Sequence, residues 1–353
     1  AATDRFGRGK QRPYESSPAV ARGRMNQPTD RRIDRLIHLF AENATVVMPG
    51  PKIADEIGVT RSTVWMWIEK LRAQGMEIEG HPGGGYQLHK LPDVLTPGQV
   101  QAALGECEIG KKIIHYFTTG STNTVALRLA ADGAAHGTVV TAEEQSAGRG
   151  RLGRTWYSER SSGIYASIIL RPPLAPSSAP ILTLMAGLAL HQAVEEETQL
   201  VPDIRWPNDL LLRGRKAGGI LTEMTSEMDR VHAVVIGIGL NVNHRNMPQE
   251  IRSISTSLRL EGGKSYSRVR LLARLLGRLQ YFYRILLDQG SAAIARSWEA
   301  KSSFARGKRV RVKTEAGESI ALTEGLEPNG ALRLLFADGH AASLFSGEVI
   351  EIK

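Results

Sequence analysis

Residues 148–156 read Gly-Arg-Gly-Arg-Leu-Gly-Arg-Thr-Trp and lie between two apolar segments, 137–144 and 163–171, that are typical of buried strands. The run contains the pattern G-x-G-x-x-G, which in dinucleotide-binding proteins leads into a helix that holds a pyrophosphate at its N-terminus. Here a strand follows instead of a helix, and no acidic residue stands where it would bind a ribose. The pattern therefore argues against a dinucleotide-binding fold.

The same run has the composition of an anion-binding loop. Its glycines let the backbone fold closely around a ligand, and its arginines carry guanidinium groups that suit carboxylate and phosphate oxygens. The alternative is a basic surface loop without a ligand, but the regular alternation of glycine and arginine between two strands favours a binding loop. We expect this backbone to be disordered without ligand and ordered over it.

Helices and strands alternate around this run, from residue 96 to residue 302. Besides the two strands already named, the pattern predicts helices at 122–131, 180–197 and 266–287 and strands at 203–212, 215–224 and 231–242. Because several strands follow one another without an intervening helix, we predict an α+β domain with a mixed sheet rather than a doubly wound parallel sheet.

Smaller domains flank this central one. Residues 29–90 predict three helices, the third at 61–74, followed by a β-hairpin, which is the order of a winged helix-turn-helix domain. Residues 303–353 form short strands separated by turn residues, as in a small SH3-like β-barrel. Residues 1–28 are rich in Gly, Pro, Ser and Arg without apolar periodicity, so we predict a disordered tail there.

Composition excludes several classes of protein. With 353 residues, 42% of them hydrophobic and 23% charged, the chain is globular and long enough for two to three domains. Its one cysteine, Cys107, excludes a disulfide framework and a multi-cysteine metal site. No apolar run reaches membrane-spanning length, and the polar, Arg-rich N-terminus lacks a secretory signal, so we expect a cytoplasmic protein. The net charge of +9 suggests an anionic partner.

Three further segments carry chemistry. A predicted hairpin would place the carboxylate of Asp209, in the rare sequence Trp-Pro-Asn-Asp, beside the amine of Lys216 on the next strand; the alternative is a turn residue and a solvated edge charge. Ser121-Thr122-Asn123 alone reads as an ordinary helix N-cap. The glycines and amides at 237–243 are equally explained by close packing.

Taken together, the four segments resemble the biotin protein ligases. The winged helix and the C-terminal barrel resemble the bifunctional members of that family, which also repress the biotin operon, and the resemblance covers residues 29–353. It implies an enzyme that joins the biotin carboxylate to AMP from ATP, with Mg²⁺ assisting, and then passes biotin to a lysine of a biotin carboxyl carrier protein. Two other readings remain: a lipoate-type ligase on the same fold, and a biotin-sensing repressor without ligase activity.

The resemblance also implies roles for individual residues. Biotin would be bound by Ser121, Thr122, Asn123, Gln145, Arg149, Gly150, Arg151, Trp156, Lys216 and Gly219. The adenylate would be bound by Arg151, Arg154, Asn208, Lys216 and Asn241. The catalytic residues would be Lys216, Arg149, Arg151 and Asp209, with Asp209 accepting or orienting the proton of the attacking lysine.

The N-terminal domain implies operator DNA as a partner and biotinyl-AMP as a corepressor. The start of its third helix would enter the major groove through Arg61, Ser62, Thr63, Trp65 and Trp67. One such helix reads few base pairs, so we expect a homodimer on a palindromic site. Because winged helices also serve as interaction modules, DNA binding is a separate expectation from ligase activity.

Overall fold

The computed structural model describes residues 27–43, 46–73, 75–89, 93–226, 231–314 and 317–352. The predicted disordered tail, residues 1–28, lies outside the described residues except for its last two positions. The helices and strands form three groups that follow one another along the chain.

The first group is a winged helix-turn-helix, as predicted. Its elements are α1 (Arg31–Glu42), α2 (Gly50–Ile57), α3 (Arg61–Ala73) and the hairpin of β1 (Ile78–His81) with β2 (Gly85–Leu88). Helix α1 is capped by Asp30, whose side chain accepts a hydrogen bond from the Arg32 amide at 2.9 Å. Helix α2 ends at Gly58, whose φ of 74° is the left-handed conformation that glycine favours.

The second group is built on a seven-stranded sheet. Its strands are β3 (Ile113–Tyr116), β4 (Val139–Ala142), β5 (Gly163–Leu170), β6 (Asp203–Arg205), β7 (Asp209–Leu212), β8 (Arg215–Ser226) and β9 (Val231–Asn241), in the spatial order β3-β4-β5-β9-β8-β7-β6. Only β3 and β4 are parallel neighbours among these strands, and all other neighbours are antiparallel. The predicted mixed α+β sheet is therefore confirmed.

Helices cover both faces of this sheet. They are α4 (Pro97–Leu104), α5 (Thr122–Ala131), α6 (Ala179–Thr198), α7 (Leu258–Gly262), α8 (Arg268–Gln289) and α9 (Ser291–Glu299). Helices α6, α8 and α9 bury the larger apolar face, whereas α5 covers the opposite face with small residues such as Ala126 and Ala130. Elements α4, β3, α7 and α9 were not predicted, because each is short.

One predicted strand, 203–212, is wrong as a single element. It is a hairpin of β6 and β7 that turns at Trp206, Pro207 and Asn208, with a cis peptide bond between Trp206 and Pro207. A proline within a strand has no N–H for the ladder, and Pro-Asn is a turn signal. The reversal places Asp209 at the start of β7, opposite Gly219 of β8.

Helix α6 is the most apolar element. Together with the preceding turn, residues 176–198 are long and apolar enough to cross a membrane by length and composition, which the sequence analysis did not anticipate. Within the structure, however, 71% of that apolar window is buried against the sheet and α8. Helix α6 is therefore the core helix of the central domain.

The third group is a five-stranded antiparallel sheet, consistent with the predicted SH3-like barrel. Its strands are β10 (Arg306–Thr314), β11 (Gly317–Leu326), β12 (Leu332–Phe336), β13 (Ala341–Leu344) and β14 (Glu348–Glu351), in the order β13-β12-β11-β10-β14. It is fixed to the central domain by a hydrogen bond of 3.0 Å from the indole of Trp206 to the carbonyl of Gly330.

A buried polar cluster joins the N-terminal domain to the central one. This junction cluster consists of Thr29, Asp93, His115, Glu143 and Arg268. The Arg268 guanidinium pairs with Glu143 at 2.8 Å and with Asp93 at 3.0 Å, while the His115 ring bonds Thr29 at 2.8 Å and lies 3.3 Å from Glu143. A buried charge is tolerated only when it is paired, so the cluster fixes the linker at Asp93 and the start of the N-terminal domain at Thr29.

The junction cluster predicts an acid-dependent contribution to stability. Burial alone would raise the pKa of Glu143, but Arg268 and His115 outweigh it and lower that pKa from 4.5 to about 2. A carboxyl whose pKa is lower in the folded state stabilises the fold above its unfolded pKa. The contribution of Glu143, about 3 kcal/mol, is therefore full above pH 5 and is lost as the pH falls toward 2.

We expect Glu143→Gln to lower the midpoint of thermal unfolding at pH 7, because the buried Arg268 guanidinium would lose one of its two carboxylate partners in the junction cluster. The difference between the unfolding midpoints of the wild type and the variant, measured by circular dichroism, should shrink steadily as the pH falls from 5 to 3. The matched control is Glu144→Gln, next in sequence, whose carboxylate makes a half-exposed pair with Arg160. A gap independent of pH, or equal effects of both variants, would contradict the assignment.

Candidate active site

A cavity of about 500 Å³ opens between the central sheet, the loop at residues 148–156 and the C-terminal sheet. All residues predicted to bind biotin or adenylate, and Asp209, lie in its wall: Ser121, Thr122, Asn123, Gln145, Arg149, Gly150, Arg151, Arg154, Trp156, Asn208, Asp209, Lys216, Gly219 and Asn241. The four segments that were grouped by resemblance are therefore brought together in space.

The glycine–arginine loop, residues 148–156, forms a narrow hairpin over this cavity. The amide of Gly150 donates to the carbonyl of Arg154 at 2.6 Å, and the amide of Trp156 donates to the carbonyl of Gly148 at 2.9 Å. Its tip is a single 3₁₀ turn at Arg151–Gly153 that leads back into extended chain, not into a helix. The rejection of a dinucleotide-binding turn is thus confirmed by the backbone.

Trp156 lies on a floor of two glycines. Gly219 of β8 and Gly239 of β9 are paired neighbours, and a methyl group at Gly239 would collide with the indole ring. At Gly219 the same methyl would lie 3.0 Å from the indole and 3.1 Å from the Lys216 side chain. The glycine-rich return strand therefore leaves room for an aromatic wall beside the lysine.

Lys216 and Asp209 meet as the predicted hairpin requires. The Lys216 ammonium lies 2.6 Å from the Asp209 carboxylate and 5.6 Å from the centre of the Trp156 ring. The Lys216 backbone is held by hydrogen bonds with Ile254 at 2.8 Å and Thr256 at 2.9 Å. The lysine thus stands at a fixed position, with its charge compensated by a carboxylate that a ligand anion can replace.

The opposite end of the cavity is neutral and hydrogen-bonding. The carbonyl oxygen of Gln145 accepts from both the amide and the hydroxyl of Thr122, at 2.9 and 3.0 Å, and so caps the start of α5. Ser121 occupies the N-cap position, but its hydroxyl makes no capping hydrogen bond. The ordinary N-cap interpretation of Ser121 is therefore wrong, and Gln145 takes that task.

The side chain of Asn123 bonds other residues around the cavity. Its amide donates to the carbonyl of Leu221 at 3.1 Å and to Glu223 at 2.7 Å, and its oxygen accepts from Ser167 at 2.6 Å. A methyl group at Gly237 would collide with it. Asn123 therefore ties α5 to β8, with its hydrogen-bonding groups already engaged.

The charged side chains in the wall are mostly basic. Among the described lining residues five are basic, namely Arg149, Arg151, Arg154, Arg205 and Lys216, and Asp209 is the one acid. This excess of positive charge favours an anionic ligand in a concave site. Arg151 reaches the Asn208 amide oxygen at 3.2 Å and the Ser346 hydroxyl at 3.4 Å, so the loop touches the C-terminal sheet. Arg149 pairs instead with Glu223 at 2.7 Å.

Several wall residues were missed from the sequence. They are Met247, Ile251, Ser253, Ile254 and Ser255 from the segment before α7, and Gly347, Val349 and Ile350 from the C-terminal sheet. The first group is held beside the site by Ile254 and Ser255, which pair with the backbone of Lys216, and the second arrives from a separate domain. Neither has a local motif, so only the fold brings them to the cavity.

A metal centre made of protein ligands alone has no support in the described residues, which contain no group of three or more His, Cys, Asp or Glu placed to hold an ion. With Asp209 as the one acidic wall residue described, a divalent cation here would take most of its ligands from bound phosphates. The site therefore fits Mg²⁺ delivered together with a nucleotide.

The exposed face of α3 is a second candidate site. Arg61, Ser62 and Trp65 project into solvent, and Trp65 is 57% exposed. The predicted DNA contact Trp67 is not on this face. It is 8% exposed and packs in the core of the N-terminal domain, with the Arg32 guanidinium 5.8 Å from the centre of its ring. A helix presents only one face, and positions 64, 67, 68 and 71 form the buried one. Trp67 therefore cannot enter a groove.

Comparison with known proteins agrees with this geometry. Residues 115–241 match the biotin/lipoate A/B protein ligase family, and residues 32–87 match a helix-turn-helix domain family. The bifunctional ligase/repressor BirA of Bacillus subtilis is 37% identical over 86% of this chain and 94% of its own length. The biotin–[acetyl-CoA-carboxylase] ligase of Mycobacterium tuberculosis is 35% identical over 67% of this chain and 87% of its own.

Among solved structures, the biotin protein ligase from Aquifex aeolicus in complex with biotin and ATP is similar, with a TM-score of 0.60 and 29% identity. The match covers 69% of this chain and 99% of the Aquifex chain. The fold and the cavity agree with these relatives, which match most of the length of the chain. The chain therefore belongs to the family of bifunctional biotin ligase/repressors.

Proposed function

We propose that this ligase joins the carboxylate of biotin to the α-phosphate of ATP, releasing pyrophosphate, and then transfers biotin to a lysine of a carboxylase carrier protein. The observation that carries the proposal is the meeting of Lys216, Trp156 and the glycine–arginine loop around one cavity with a neutral hydrogen-bonding end. A ligand with a neutral ring, an apolar chain and a terminal carboxylate matches these surfaces in that order.

The first step must bring two anions together. A carboxylate oxygen attacks the α-phosphorus while the bond to pyrophosphate breaks, and negative charge gathers on the phosphoryl oxygens. Fixed cations in a closed site lower that barrier, and the basic wall residues supply them. Lys216 would exchange Asp209 for the biotin carboxylate, and Mg²⁺ bound to the phosphates would supply further positive charge.

The second step needs a nucleophilic amine. The carrier lysine must lose a proton before it attacks the acyl carbon, and AMP leaves with the electrons of the broken bond. Once Lys216 is bound to the ligand, the Asp209 carboxylate is released beside the reacting carbonyl, since the two groups are only 2.6 Å apart in the free protein. Asp209 is therefore placed to accept that proton.

The proposal is tested with purified full-length protein, biotin, labelled pyrophosphate and ATP. We expect biotin-dependent exchange of label into ATP, and Lys216→Ala should reduce it at least about a hundredfold. Mass spectrometry of a carrier domain incubated with the protein, ATP and equal concentrations of biotin and lipoate distinguishes the alternatives: gain of biotin supports the proposal, gain of lipoate indicates the lipoate-type reaction, and no gain with no exchange leaves a biotin-sensing protein.

Asp209→Asn should separate the two steps. Its amide cannot take a proton, so pyrophosphate exchange should stay within a few-fold of wild type while transfer to the carrier falls about a hundredfold. Single-turnover transfer from preformed enzyme-bound adenylate measures this directly. Equal losses in both steps, or unchanged transfer, would assign Asp209 to holding Lys216 alone.

We further propose that the N-terminal domain represses biotin synthesis genes, with biotinyl-AMP as corepressor and a homodimer as the DNA-binding form. Its support is the exposed start of α3 in a helix-turn-helix of a ligase/repressor family member. Both partners, a carrier protein and DNA, would place the protein in the cytoplasm.

Substitutions of Trp65 and Trp67, which lie on the same helix, should have different effects on DNA binding and on stability. Trp65→Ala should leave thermal unfolding unchanged and weaken binding to DNA about tenfold, whereas Trp67→Ala should lower the unfolding midpoint because it empties the domain core. Fluorescence anisotropy with a duplex selected by this protein from a random library measures affinity. Unchanged affinity of Trp65→Ala would remove this face from the DNA interface.

A further inference from the structure

Glu223, near the end of β8, connects three separate segments of the site. Its two carboxylate oxygens accept from the Arg149 guanidinium at 3.0 and 2.7 Å, and one of them also accepts from the Asn123 amide at 2.7 Å. Arg149 belongs to the glycine–arginine loop, and Asn123 belongs to the first turn of α5. A single carboxylate thus ties the loop and the neutral end of the cavity to the sheet.

The partners of Glu223 are themselves fixed. Asn123 is 4% exposed and also bonds Leu221 and Ser167, so it holds the carboxylate in one orientation. The pair with Arg149 is half-exposed, and one guanidinium nitrogen contacts both carboxylate oxygens, so its energy is modest. Arg149 is therefore attached to a rigid base, not to a mobile surface group.

The two arginines at the start of the loop consequently differ in task. Arg149 is paired with Glu223 of β8, and Arg151 extends to the far wall, where it meets Asn208 and Ser346. Through its pair with Glu223, Arg149 can fix the backbone on which its neighbours in the loop are mounted.

We propose that Glu223 is a positioning residue, which acts through Arg149 to hold the glycine–arginine loop over the ligand. The glycines at 148, 150 and 153 give this loop wide backbone freedom, which must be lost when it closes. The pair between Arg149 and Glu223 removes part of that freedom before the ligand binds, so the loop loses less conformational entropy on binding. The inference rests on the proposed ligase reaction.

The variant that tests it is Glu223→Gln, which keeps an acceptor for Asn123 and removes the charge that holds Arg149. In biotin-dependent pyrophosphate exchange we expect the KM for biotin to rise about tenfold with kcat within about twofold of wild type. Hydrogen exchange across residues 146–156 should be faster than in wild type. The matched control, Glu144→Gln, disrupts a pair of the same 2.7 Å length and similar exposure outside the cavity, and it should change neither.

A double-variant cycle shows whether Glu223 acts through Arg149. If it does, Arg149→Gln alone and Arg149→Gln with Glu223→Gln should have the same KM for biotin. Additive effects, or unchanged KM and unchanged loop exchange in Glu223→Gln, would overturn the proposal. Wild type without biotin-dependent exchange would instead refute the ligase reaction itself, so the two failures are distinguishable.

Discussion

The site depends on the absence of side chains at three glycines in the middle of the central sheet. Gly219 and Gly239 face each other on β8 and β9, and Gly237 lies opposite Leu221 two residues further on. Over this bare strip of backbone lie the indole of Trp156 and the amide of Asn123, each in a place that a methyl group would fill. Bare backbone flanked by bulky groups is therefore what makes the sheet a binding surface.

Two of the basic wall residues are paired in the free site. Lys216 is held by Asp209, and Arg149 is held by Glu223, so part of the positive charge of the wall is compensated before the ligands arrive. A buried or partly buried cation without a counter-ion would destabilise the fold. In the proposed reaction, a ligand carboxylate that replaces Asp209 would give Lys216 an equivalent partner and at the same time free a base, so binding itself would prepare the second step.

The sequence was sufficient for local features and insufficient for distant ones. The helices at 122–131, 180–197 and 266–287, the strands β4, β5, β8 and β9, and the Asp209–Lys216 pair follow from patterns of a few residues. The prediction of Trp67 as a DNA contact failed because Trp67 shares the buried face of α3 with Val64, Ile68 and Leu71. Glu223 was missed because a single carboxylate in a strand has no motif, and its meaning comes from Arg149 and Asn123, 74 and 100 residues away.

The segment that follows β4, residues 143–148, connects the cavity with the domain junction. Beyond β4, Glu143 turns into the protein interior, where it meets Arg268 and contacts the amide of Leu95 at the start of the central domain. Gln145, two residues later, caps α5 in the cavity wall, and the glycine–arginine loop begins at Gly148. In a biotin ligase with a helix-turn-helix domain, one short segment thus reaches the domain junction at Glu143 and the cavity wall at Gln145.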